Sequence, residues 1–155
     1  MLDTSAGPIA IEFFTDKAPT TVRQFMRLAA AGVYNGMAFH RVAPGFVIQT
    51  GALSSRTAPL TEKQQKLVHN LAPEFNDTKH VKGIVSMARG RGAGQRADVV
   101  LHLHRHRRPR STVSTRRSAA WSDGMPAVDA IEASPRNGEA PIARVDLKTV
   151  RIEKK

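Results

Sequence analysis

Cysteine is absent from all 155 residues. That rules out disulfides and says little else about the compartment. Long apolar runs are also missing, although 41% of the residues are hydrophobic, so neither a membrane-spanning helix nor a wholly disordered chain is expected. Met1 stands only a few residues before the first strand-like run, so no signal peptide is expected ahead of that strand. The expected location is cytoplasmic, or periplasmic or secreted if a leader has been lost or mis-assigned. Acid is in short supply: 13 acidic residues face 24 basic ones, a net charge of +11. Such a charge invites a nucleic-acid reading, but its distribution undercuts it. Residues 89–122 hold nine arginines, no lysine and one acid (Asp98), a net of +8 that leaves only +3 for the rest.

What is present fits a single domain over 1–155, long enough to bury a real core. Residues 8–14 alternate as a strand with Ile9, Ile11 and Phe13 inward. Pro19 suits the first turn of a helix. Val22, Phe25, Met26 and Ala29 then follow helical spacing, and Gly32 can end that helix in a left-handed conformation. Thr61 and Gln64 form a capping box that opens a short polar helix to about His69. Strand character returns at 83–88, a short helix is expected over 127–132, and Pro135 with Asn137-Gly138 marks a turn. Residues 143–153 close as a strand whose apolar phase slips between Leu147 and Val150, which predicts a bulge or a strand buried on both faces.

The most informative stretch is Phe39-His40-Arg41-Val42-Ala43-Pro44-Gly45-Phe46-Val47-Ile48-Gln49-Thr50-Gly51. Two β-prone runs, 39–42 and 46–50, flank a Pro-Gly turn signal. Within nine residues it presents a cation, an aromatic ring and an amide. Strict alternation puts Phe46 and Ile48 on one face and Val47 and Gln49 on the other. A bulge or twist near Ile48 is then needed to gather Arg41, Phe46 and Gln49. On pattern alone, a strand pair with a core aromatic and a solvated arginine accounts for the run.

That stretch resembles the signature of the cyclophilin-type peptidyl-prolyl isomerases, of bacterial kind. Flanking segments resemble the family too: Thr4-Ser5-Ala6-Gly7, Asp16-Lys17-Ala18-Pro19-Thr20-Thr21-Val22, Gly32-Val33-Tyr34-Asn35-Gly36, Glu74-Phe75-Asn76-Asp77 and Lys79 through Arg89. The likeness runs from about Met1 to Gly92 and resumes at about Asp123. It implies a mostly β fold with helices, a closed barrel capped by α-helices, disrupted in its central segment.

The central segment, about 93–122, is anomalous. His102, His104 and His106 alternate and would share one face of a strand, but flanking arginines repel a cation and no carboxylate lies near to orient the rings. Arg105, Arg107, Arg108 and Arg110 could neutralise phosphates, yet no aromatic residues interleave them. The plain alternative to both is a solvated insertion. Translation in the wrong frame explains more. Plausible GC-rich codons for 99–104, shifted by one nucleotide, encode Ser-Ser-Phe-Ile-Cys-Thr. Codons available for 110–121, shifted by two, encode Leu-Asp-Gly-Lys-Tyr-Thr-Ala-Phe-Gly-Arg-Val. Both resemble the missing family segments, in order, and the frame returns near Asp123. Residues 93–122 are therefore expected to sit poorly, with 99–103 the most β-prone part.

The resemblance implies catalysis of X-Pro isomerisation in polypeptides, assisting folding, with no cofactor and no metal. By resemblance Arg41 donates to the proline region of the substrate, Phe46 floors the pocket for the pyrrolidine ring, and Gln49 binds peptide backbone and holds Arg41. Val47, Ala88 and Arg89 match positions lining the peptide groove; His40 lies beside Arg41 and is read as structural more often than catalytic. The implied partners are proline-containing polypeptides and a cyclosporin-type ligand, with nucleic acid bound only non-specifically, no membrane, and a monomeric state. The alternative is a catalytically impaired proline-peptide-binding or chaperone module, or a basic nucleic-acid-binding variant.

Overall fold

A computed structural model of the chain describes residues 1–72, 74, 76–78, 83–87 and 116–153. In chain order these form β1 (Leu2–Thr4), β2 (Gly7–Phe13), α1 (Pro19–Ala30), β3 (Met37–Ala38), β4 (Arg41–Ala43) and β5 (Val47–Gln49). A 3-10 turn (Leu53–Ser55), α2 (Glu62–Leu67), β6 (Ile84–Met87), β7 (Arg116–Asp123) and α3 (Met125–Glu132) follow, then β8 (Arg136–Asn137), β9 (Ala140–Pro141) and β10 (Asp146–Val150). Six strands make one sheet in the order β3-β10-β1-β2-β7-β6, while β4-β5 and β8-β9 are separate hairpins. Every pairing is antiparallel. The mostly β architecture with helices expected from the sequence is what the chain adopts.

Local chemistry explains the element ends. Helix α1 starts with Pro19, whose fixed φ and missing N–H suit a first turn. It ends in a Schellman motif: Gly32, at φ 67°, donates to the Ala29 carbonyl and Val33 to that of Leu28. Val22, Phe25 and Ala29 are buried as their spacing requires, with Leu28 beside them. The capping box at α2 is complete, with Thr61 and Gln64 bonded reciprocally. That helix stops at Leu67, a little before the expected His69.

The chain ends meet. β1 pairs with β10, and the Met1 carbonyl accepts from Arg151 N–H at 2.8 Å. Thr149 opposes Asp3 and Leu147 opposes Thr4, which leaves Lys148 as the extra residue of a bulge. The phase slip between Leu147 and Val150 has this as its cause: the extra residue lets both of these side chains face the core. Leu2, Ile9, Leu28, Met37, Ile131 and Leu147 fill the space between sheet and helices. Each such burial is worth about 1.5–3 kcal/mol.

Part of the arginine-rich segment folds into the sheet, where the sequence led us to expect poor packing throughout 93–122. β7 lies between β2 and β6, with Ala119 and Ser118 buried. Ser118, Ala119 and Ala120 are small and uncharged, so these three positions enter the sheet without burying a charge. Residues 88–115, with the β-prone run 99–103, lie outside the described residues.

Candidate active site

The β4-β5 hairpin carries the candidate residues. Its turn is Ala43-Pro44-Gly45-Phe46, closed by Phe46 N–H donating to the Ala43 carbonyl at 3.0 Å. Pro44 cannot adopt a positive φ, and Gly45 has φ 68°, so the turn is type II, with glycine where the backbone demands it. Gly45 N–H also donates to the Glu132 carboxylate at the end of α3, 2.7 Å away. The hairpin tip is thereby pinned to a helix remote in sequence.

Arg41 pairs with Gln49, Val42 with Ile48, and Ala43 with Val47. Directly opposed residues of an antiparallel pair share a face, so Arg41 and Gln49 lie together through register alone. No bulge near Ile48 is involved. Phe46 belongs to the turn and escapes strand alternation, which removes the conflict the sequence pattern presented. The Arg41 guanidinium carbon stands 5.9 Å from the Phe46 ring centroid, within cation–π range. Arg41 Nη1 donates to Gln49 Oε1 at 3.3 Å. Val42 and Ile48, on the other face, are buried in the core.

The remaining expected residues are placed differently. Val47 shares the face of Arg41 and Gln49 and is 1% exposed. His40 is half-buried, and its N–H donates to the Gln49 carbonyl at 3.0 Å, joining the hairpin just before β4. Ala88 and Arg89 lie outside the described residues. Phe46 is 37% exposed, unlike a core aromatic.

One participant escaped the sequence. Glu139, in the loop between β8 and β9, grips Arg41 with both oxygens: Nε to Oε2 at 2.5 Å and Nη2 to Oε1 at 3.1 Å. The hydrogen bonds from Arg41, with its positive charge, hold the Glu139 carboxyl below the usual carboxylate range. The Asn137-Gly138 turn signal pointed to this loop, but nothing local linked it to a strand 98 residues away. Among the described residues no group of three His, Asp or Glu comes together to hold a metal. His102, His104 and His106 lie outside the described residues.

The arrangement offers a fixed cation, an exposed ring beside it and an amide, with no nucleophile required. That is the equipment for polarising and twisting a planar amide. Residues 1–104 match the family model of cyclophilin type peptidyl-prolyl cis-trans isomerases, running past Gly92 into the anomalous segment. A Synechococcus elongatus peptidyl-prolyl cis-trans isomerase is 36% identical over 103 residues, 66% of this chain and 67% of that protein. Peptidyl-prolyl cis-trans isomerase A of Dickeya dadantii is 40% identical over 93 residues, 57% of this chain but 45% of the relative. The chain thus spans between under half and two thirds of these relatives. In three dimensions a Cryptosporidium parvum cyclophilin type isomerase, crystallised in the presence of the dipeptide Ala-Pro, superposes with TM-score 0.80 over 99% of this chain and 98% of its own at 21% identity. A cyclophilin from Hirschia baltica does so with TM-score 0.72, 20% identity and 96% and 71% coverage. At such identity the likeness speaks for the fold. Sequence and fold agree: the chain belongs to the cyclophilin-type peptidyl-prolyl cis-trans isomerase family.

Proposed function

We propose that this chain, acting as one domain, catalyses cis–trans isomerisation of X-Pro bonds in polypeptides. The observation that carries the reading is Arg41, held between Gln49 and Glu139 beside the exposed ring of Phe46. Amide resonance sets the uncatalysed barrier at roughly 18–20 kcal/mol. Rotation needs no bond to break. The site need only bind the twisted amide better than either planar isomer.

As the amide twists, its nitrogen lone pair localises and becomes a hydrogen-bond acceptor. An arginine N–H aimed at that nitrogen stabilises the twisted form and gains little from the planar one. Phe46 offers the pyrrolidine ring an apolar floor. The Gln49 amide nitrogen can donate to a substrate carbonyl while its oxygen accepts from Arg41. His40 supports the hairpin through its main-chain bond to Gln49. The Ala-Pro dipeptide used with the Cryptosporidium relative supports proline-containing peptides as the substrate class, and a cyclosporin-type ligand would compete for the same surface.

The test is a protease-coupled assay on a short X-Pro peptide, with the unsubstituted chain and Arg41→Ala. Turnover that falls about a hundredfold in the variant, with the circular dichroism spectrum preserved, supports the reading. A folded, unsubstituted chain without turnover defeats it.

A further inference from the structure

Glu139 does more than neutralise a surface charge. Its carbonyl accepts from Val42 N–H at 2.7 Å, docking the β8-β9 loop against β4 through main chain. Its side chain then reaches the guanidinium of the residue before Val42, in a bidentate pair with Nε and Nη2. Gln49 takes one N–H of Nη1. Among the described residues, three of the five guanidinium donors are thereby committed, leaving one on each terminal nitrogen.

An exposed arginine otherwise samples many rotamers, and fixing it only at the moment of reaction costs entropy. The side chains of Arg41 and Glu139 are 35% and 53% exposed, so the pair contributes little to overall stability. A bidentate carboxylate fixes the plane of the fork as well as its position. With Glu139 on one edge and Gln49 on another, the two remaining donors have a set direction.

We propose that Glu139 is a positioning residue for the isomerase reaction: it orients the Arg41 guanidinium so that its free terminal N–H groups face the substrate. This rests on the isomerase reading above. Side-chain substitution isolates the effect, because the Val42–Glu139 bond is made by main chain and does not depend on the Glu139 side chain. The experiment compares the unsubstituted chain with Glu139→Ala and Glu139→Gln on one X-Pro peptide, measuring kcat and KM separately. A 15N-edited spectrum of the Arg41 Nε–H reports the clamp independently.

The expected result for Glu139→Ala is a drop in kcat of about tenfold, within the roughly hundredfold that misplacing a catalytic group by about 1 Å can cost, with KM and melting temperature nearly unchanged. Glu139→Gln, which keeps one acceptor, should recover part of the rate. The Arg41 Nε–H signal should be resolved in the unsubstituted chain and merge with the solvent-exposed arginines in Glu139→Ala. An active unsubstituted chain with undiminished or raised kcat in Glu139→Ala overturns the positioning role alone. So does a loss confined to KM, or an Nε–H signal that does not move. Absence of turnover in the unsubstituted chain overturns the function and the positioning role together.

Discussion

Gln49 faces Arg41 across the hairpin, and its side-chain oxygen accepts from Nη1 at 3.3 Å. The contact is long for a charge-assisted bond, so it steers the guanidinium more than it anchors it. Gln49→Leu removes the acceptor and keeps similar bulk. We expect kcat/KM to fall several-fold, about 1 kcal/mol in transition-state terms, with stability changed by less than about 0.5 kcal/mol. Steady-state kinetics beside a urea titration check both figures.

Glu74 caps α1 from outside the helix. Ala18, the residue at the cap position, has no side-chain acceptor. Instead Glu74 accepts from Thr20 N–H at 2.8 Å and Thr21 N–H at 2.7 Å. Partial burial pushes its carboxyl up, but the hydrogen bonds from Thr21 and Thr20 together outweigh this and hold it below the usual range. Glu74→Ala should cost about 1 kcal/mol at neutral pH, as loss of a cap does. The sign for acid follows from the lowered value: the contribution is fully present above the unfolded carboxylate range and is lost as pH falls through the folded one. Denaturant midpoints of the two proteins should therefore converge in acid; a gap that persists there contradicts the assignment.

Tyr34 is 2% exposed, stacked on Phe25 at 4.9 Å. Its hydroxyl has no hydrogen-bond partner among the described residues, and burial holds its pKa well above the ordinary value. Tyr34→Phe removes the unpaired oxygen and keeps the ring. The melting temperature should hold or rise, by up to about 1 kcal/mol of stability. A clear fall would mean that the hydroxyl is paired.

What was legible in the sequence was mostly local. The Schellman end at Gly32 and the capping box at Thr61 depend on residues within a few positions, and the bulge at Lys148 showed as a slip in the local apolar phase although its register is set against β1. The candidate site was legible as a motif but not as geometry. Counting Phe46 as a strand residue set it against Gln49, whereas the Pro44-Gly45 turn takes it out of the alternation and register pairs Arg41 with Gln49. Glu139 and Glu74 left no local signal, because each acts on a partner 53 or more residues away. β7 was hidden by its surroundings: the arginines nearby mask a serine-alanine run small enough to enter the sheet.

Resequencing the gene across codons 90–125 is expected to show three single-nucleotide departures that restore Ser-Ser-Phe-Ile and Leu-Asp-Gly in order. A corrected product should be more stable than this chain, since it replaces a segment carrying seven arginines (residues 93–122) with one that includes the apolar Phe-Ile strand residues. An unchanged sequence in an independent isolate of the gene contradicts the frame account and returns the segment to an insertion.

Turnover itself is the central claim, and two-dimensional exchange NMR on an Ala-Pro peptide measures it without a coupling protease. Protein at a small fraction of the peptide concentration should produce exchange cross-peaks between the cis and trans proline signals, because uncatalysed interconversion takes tens of seconds or longer. Arg41→Ala, folded by its amide spectrum, should abolish them. Peptide lines that broaden on binding while cis and trans stay unconnected would show a proline-binding module without catalysis, and would contradict the account.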